Sequence, residues 1–135
     1  MSSLEGMSRP RILVVEDEPD TSRMLEFYFE AEGFAVEVIE TGADAIGRIA
    51  SDPPHAVILD VMLPHHDGFT VLRHMRADPR WEHVPVVMLT AKGSERDQVS
   101  GFGAGVDDYV TKPFQLDALV ARVQRLLKGP APTAP

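Results

Sequence analysis

The chain has 135 residues, a formal net charge of −8, 44% apolar and 25% charged residues, which is the make-up of one globular domain able to bury a core. The acidic balance argues against non-specific nucleic-acid binding by this segment, because phosphate contacts need a basic face. With no cysteine, disulfides, thiolate zinc sites and cysteine nucleophiles are excluded; no apolar run approaches the ~18 residues of a membrane span and no signal-like stretch opens the chain, so the sequence reads as cytoplasmic.

Residues 1–10 (MSSLEGMSRP) are polar and unpatterned, an extension or cloning remnant with Met7 a second candidate start. Arg11 to Val15 (RILVV) reads as a short buried strand that runs into three acids, Glu16, Asp17 and Glu18. Pro19 suits a first helical turn, Met24, Leu25, Tyr28 and Phe29 follow at helical spacing, and Gly33 supplies the stop. Ala35 to Ile39 is a strand with Glu37 its one charge; Thr41 and Asp44 open a helix whose apolar face is Ala45, Ile46 and Ile49. His55 to Asp60 is an apolar, β-branched run of the kind buried on both faces of a parallel sheet, and it ends on a carboxylate. A short helix over about Gly68 to Ala77, with Phe69, Leu72 and Met75 on one face, is broken by Asp78-Pro79. Pro85 to Thr90 is a further strand ending on a hydroxyl. Glu95 to about Ala104 is a weak helix interrupted by Gly101 and Gly103, each costing ~1 kcal/mol against alanine. Asp108 to Thr111 is a last strand before Lys112-Pro113, and Leu116, Leu119, Val120, Val123, Leu126 and Leu127 form the stripe of a final helix that Gly129 ends. The tail 129–135 has no means of folding alone.

Strands alternating with helices on this scale imply right-handed βαβ units and a parallel sheet covered on both faces. In such a sheet the strand ends share one rim, where ligands bind. That rim would carry Glu16 and Asp17, Asp60, Thr90 and Lys112. Clustered carboxylates repel and raise one another's pKa unless a cation joins them, so the set asks for a hard divalent ion, with Mg²⁺ the best fit. A carboxylate beside such an ion, a lysine and a hydroxyl is equipment for accepting a phosphoryl group. Singly, each residue has a plainer role: a helix cap for Asp17, a turn cap for Asp60, a solvated charge for Lys112. Their joint position at four strand ends favours the site. His65 and His66 lack the partner spacing of a metal pair and read as a solvated loop; Trp81 reads as packing beneath the connection to the fourth strand.

The segments VVEDEP, VILDVMLP, MLTA and DDYVTKPF, in this order, resemble the receiver domain of bacterial two-component response regulators over Arg11 to Lys128, closest in motif to the winged-helix (OmpR/PhoB) class. The resemblance implies a flavodoxin-like (βα)5 α/β fold, strand order 2-1-3-4-5, with 11–128 the receiver. It implies Asp60 as phospho-acceptor, Asp17 as the principal Mg²⁺ ligand with Glu16 its companion, and Met62 lending a backbone carbonyl to the metal. It further implies Thr90 as switch hydroxyl, Tyr109 as the aromatic that turns inward with it, and Lys112, before a cis proline bond, as phosphoryl-binding lysine. The implied partner is a histidine kinase or phosphotransfer protein; the output surface is the Glu95–Ala104 segment with the last strand and helix, through which the class also dimerises. Lys92 and Met62 stand where the family tunes phosphoryl lifetime, and Gln115 stands where a better helix cap belongs. Asp107 and Arg125 are candidates for one ion pair of the dimer face, while Gln98 and Ala118 replace another. The domain is a signalling switch rather than a turnover enzyme, either standing alone or regulating an effector after residue 135. Alternatives are a haloacid-dehalogenase-type phosphatase, which needs a second aspartate where Met62 stands, an FMN carrier, whose phosphate loop the acids after Val15 do not suit, and an interaction module that never handles phosphate.

Overall fold

The computed structural model describes residues 9–91 and 105–128. Five parallel strands form one sheet in the order β2-β1-β3-β4-β5: β1 Arg11–Val15, β2 Ala35–Ile39, β3 Ala56–Asp60, β4 Val86–Ala91 and β5 Asp108–Lys112. Among the described residues four helices accompany them: α1 Pro19–Ala31, α2 Gly42–Arg48, α3 Gly68–Ala77 and α4 Leu116–Lys128. The parallel sheet expected from the alternation, and the flavodoxin-like order that the resemblance implies, are therefore present. The expected Glu95–Ala104 helix lies outside the described residues.

The period-2 rule divides the core. Leu13, Val15, Val57 and Leu59 face α2 and α3, whereas Ile12, Val14, Ile58, Val87 and Leu89 face α1 and α4. Because helices cover both faces, β3 is buried at every position, which is why its sequence is a continuous apolar run rather than an alternating one. Burying each such Val, Leu or Ile contributes roughly 1.5–3 kcal/mol.

Local chemistry sets the helix limits. Glu18, Thr41 and Asp67 cap α1, α2 and α3, each side chain accepting from a backbone N–H of the first turn, which satisfies one of the donors a helix start leaves open. Gly33 closes α1 at φ +98°, a conformation that glycine adopts without cost. One detail differs from the sequence reading. Met24 is 43% exposed although it lies on the helical stripe, because α1 turns Leu25 and Phe29, flanked by Tyr28, toward the sheet. Trp81, in the α3–β4 connection, is fully buried as its packing role requires, and it also donates Nε1–H to Ser51 O after α2.

Candidate functional site

Four strands converge at the carboxyl edge of the sheet. Glu16 follows β1 directly and its N–H donates to Ile39 O, so the acid is tied to the end of β2 as well. Asp60 closes β3 opposite Leu89, Thr90 follows Leu89 in β4, and Lys112 closes β5 opposite Ala91. The parallel register thus gathers residues nearly a hundred positions apart. Lys112 Nζ donates to Asp60 Oδ2 at 2.8 Å and to Glu16 Oε1 at 3.0 Å.

The carboxylates are fixed from their other sides by backbone donors. Met62 N–H donates to Asp60 Oδ1 at 3.0 Å, and Glu18 N–H to Glu16 Oε2 at 3.1 Å. Glu16 is fully buried and Asp60 is 3% exposed, whereas Asp17 is exposed. One oxygen from each of Glu16, Asp17 and Asp60 lies within 4.8 Å of the others, the only such group of metal-ligating side chains among the described residues. Burial, then the Asp60 carboxylate, pushes Glu16 from its ordinary 4.5 up to about 7, against the opposing pull of Glu18 N–H and Lys112. Burial would lower Lys112, but its bonds to Asp60 and Glu16 outweigh that and raise it.

This donor set fits a hard divalent cation: three oxygen ligands, two withdrawn from water and one open to it, in a cluster where negative charge is already costly enough to shift a carboxyl. A second feature points to an oxygen-rich guest. Thr90 Oγ1 is buried and, among the described residues, has no hydrogen-bond partner. A hydroxyl left in that state costs about 1–3 kcal/mol, so the position suits a donor to a group that arrives only in function.

The remaining sequence candidates are distributed as follows. Met62 is 70% exposed beside the cluster. Tyr109 is already inside, 8% exposed and packed in the α2–α3 side of the core. The Lys112–Pro113 peptide is cis. His65 (φ +68°) and His66 are outside the carboxylate group, and His66 instead packs so tightly on α2 that a Cβ at Gly42 would lie 2.6 Å from His66 Cβ. Within the chain Asp107 meets Arg76 at 3.2 Å, and Arg122 and Arg125 approach Asp108 at 2.8 and 3.8 Å; the Asp107–Arg125 pair expected of a dimer face lies between two copies and is not tested by these contacts. Asp107 sits before β5 on the α3 side, which places it with the α3 guanidinium. Lys92 and Gln98 lie outside the described residues. Sequence spacing gave no sign of the Glu18 and Met62 backbone donors, because an N–H is common to every residue and only the turn geometry aims it.

A family model described as the response regulator receiver domain matches residues 12–124. The phosphate regulon transcriptional regulatory protein PhoB of Rhizobium meliloti is 44% identical over 123 residues, 91% of this chain and 54% of that protein. The DNA-binding dual master transcriptional regulator RpaA of Synechocystis is 40% identical over 119 residues, 88% of this chain and 49% of that one. The chain spans about half the length of these curated relatives. Among solved structures, the receiver domain of a sensor histidine kinase from Pseudomonas aeruginosa, described with a magnesium ion coordinated in its active-site cleft, superposes with a TM-score of 0.82 at 29% identity, covering 91% of this chain and all of that one.

Proposed function

Since the chain belongs to the response regulator receiver family, we propose that it is a phospho-acceptor switch in which Asp60 takes a phosphoryl group from the phosphohistidine of a histidine kinase. The observation that carries this reading is the convergence of Lys112 Nζ on both Asp60 and Glu16, at the strand edge where the Thr90 hydroxyl has no partner among the described residues. An Asp60 carboxylate oxygen forms a bond to phosphorus as the phosphorus–nitrogen bond breaks, and the imidazole leaves with the electron pair. Met62 N–H holds Oδ1 and Lys112 holds Oδ2, so the attacking group is oriented before the donor arrives, a contribution of the positioning kind. Glu16, Asp17 and Asp60, with the Met62 backbone carbonyl, would hold Mg²⁺, which when bound supplies positive charge against the crowded phosphoryl and carboxylate oxygens.

The transferred group adds roughly −1.5 to −2 charge if it follows other phosphorylated side chains. Lys112 then turns toward its oxygens, and Thr90 donates its hydroxyl to one of them. Tyr109, two positions from Asp107 and paired with Met88 in register, repacks when Thr90 moves, which shifts the surface carried by β5 and α4. The receiver unit is 11–128, and the domain acts as a signalling switch rather than a turnover enzyme. The relatives named as transcriptional regulators support an effector in the longer protein that acts on transcription.

Incubating the protein with acetyl phosphate and Mg²⁺ and measuring intact mass tests the proposal. One added phosphoryl group that needs Mg²⁺ and disappears in Asp60→Ala is the expected outcome. No gain in wild type would leave a receiver-like fold that works by contact alone.

A further inference from the structure

A second convergence lies at the opposite edge of the sheet, away from the carboxylates. Arg76, in the last turn of α3, directs its guanidinium inward, with 19% of its side chain exposed. Its Nη1 donates to Trp81 O, Glu82 O and Val84 O at 3.2, 3.0 and 2.8 Å. Its Nε and Nη2 donate to Gly105 O at 3.1 and 2.7 Å, and Nη2 also meets Asp107 Oδ2 at 3.2 Å. All five guanidinium hydrogens are thereby engaged, by acceptors that lead into β4 and β5.

Asp107 completes the joint. Its N–H donates to Val86 O at 3.0 Å, while its Oδ2 accepts from Val86 N at 2.7 Å. The first residue of β4 is therefore paired twice with the residue before β5. Gly105 fits only without a side chain: it holds φ +97°, and a Cβ there would lie 3.0 Å from Arg76 Nε. Arg76 accordingly fastens the starts of the two strands whose other ends carry Thr90 and Lys112.

Among the described residues β5 is an edge strand of five residues, with β4 its one strand partner. A parallel ladder on one side resists tilting and fraying less than a central strand's two ladders do. Besides that ladder, the packing of Tyr109 and Val110 and the Asp108–Arg122 pair with α4, β5 is held at its ends. Lys112 must keep two carboxylates in reach at 2.8 and 3.0 Å, and displacement of a reacting group by 1 Å can cost on the order of 10²-fold in rate. We infer that Arg76 is a positioning residue for the carboxylate site: by clamping the starts of β4 and β5 through Gly105 and Asp107, it sets where Thr90 and Lys112 stand. The inference rests on the phospho-acceptor reading of that site.

The test compares wild type, Arg76→Lys, Asp107→Asn and a control, Arg80→Lys. Lysine keeps the charge at position 76 but offers one compact ammonium in place of the planar fork. Asp107→Asn keeps an acceptor for Val86 N and drops the charge. Arg80 serves the carbonyls of Ile49 and Ala50, at the end of α2, so its variant reports generic loss of an arginine cap. Two quantities are read at a temperature where circular dichroism shows each variant folded: amide exchange in the metal-free protein, and the initial rate of Mg²⁺-dependent phosphorylation by acetyl phosphate. Arg76→Lys should speed exchange in β5 by about tenfold while β1 and β3 keep their protection, and should slow phosphorylation by about tenfold. Asp107→Asn should move both the same way by less, and Arg80→Lys neither. An unchanged phosphorylation rate with faster β5 exchange would make the clamp purely structural, and exchange raised equally in every strand would make it a matter of global stability; either overturns the inference. Should Arg76→Lys fail to fold, Asp107→Asn decides by the same criteria. A wild type that accepts no phosphoryl group defeats the phospho-acceptor reading itself, whereas a labelled wild type with an equally fast Arg76→Lys defeats only the positioning role.

Discussion

Replacing Thr90 by valine separates what its hydroxyl costs the resting protein from what it does in function. The side chain is 1% exposed and Oγ1 has no partner among the described residues. Valine has the same branched shape and the same preference for a strand interior, so the substitution exchanges a desolvated hydroxyl for a methyl group. A buried hydroxyl without a hydrogen bond costs about 1–3 kcal/mol, and the lower figure allows for relaxation around the methyl. The unliganded variant should thus gain about 1 kcal/mol, which for a domain of this size raises Tm by roughly 3–5 °C. Thermal unfolding followed by circular dichroism, in chelator and without phosphate, reads this directly. The same variant, once phosphorylated, should lack the bond from position 90 to a phosphoryl oxygen and show a smaller shift of the Tyr109 environment. A Tm that falls by about 3 °C or more would mean that the wild-type hydroxyl is well paired in solution, and would refute the argument that it is held in reserve.

The other predictions concern the acidic cluster and the backbone around it. Glu16 has a folded pKa of about 7 against an ordinary 4.5, so between these values the folded protein holds a proton that the unfolded chain has released. The stability it contributes is complete below about pH 4.5 and is lost as pH rises through about 7. Metal-free wild type should therefore lose about 1–3 kcal/mol relative to Glu16→Gln between those limits, as urea unfolding at several pH values would reveal; a pH-independent difference would contradict it. Lys112→Met leaves Glu16 and Asp60 without their shared cation. With their side chains 0% and 5% exposed, the expected loss at pH 8 is about 2–3 kcal/mol, reduced from the fully buried case because Lys112 itself is one-third exposed. Urea unfolding should also show Mg²⁺ restoring part of this loss. Gly68→Ala would drive a Cβ into Asp60 O and within 2.7 Å of Met88 Cε; the methionine can yield but the backbone cannot, so the variant should lose about 2 kcal/mol or more in denaturant unfolding.

Much of the fold was legible because burial leaves a simple mark. β1, β3 and β4 are short apolar runs whose ends deliver Glu16, Asp60 and Thr90 to the rim, and β3 shows it most plainly from Ala56 to Asp60. Thr41 and Gly33 marked a helix start and a helix stop through their own side-chain chemistry. The site residues were legible as a set, since a parallel sheet makes strand ends neighbours without any further information. The arginine and tryptophan contacts were not. Arg76, Arg80 and Trp81 act on main-chain carbonyls up to 31 positions away, and a carbonyl gives no residue-specific sign of its partner. The partners of the two adjacent acids within the chain were equally hidden: the strand's start decides that Asp107 meets Arg76 and Asp108 meets Arg122. Tyr109 illustrates a third limit, since strand alternation tells which face it takes but not which rotamer it rests in.

The central claim is that Asp60 is the group that carries phosphate. Protein treated with acetyl phosphate and Mg²⁺ would be reduced with borohydride, which converts an aspartyl phosphate to homoserine, and then digested and mapped by mass spectrometry. Homoserine at position 60, in the Mg²⁺ sample and not in the chelated one, is the predicted result; homoserine at another acid, or at none while the protein remains folded, would contradict the account.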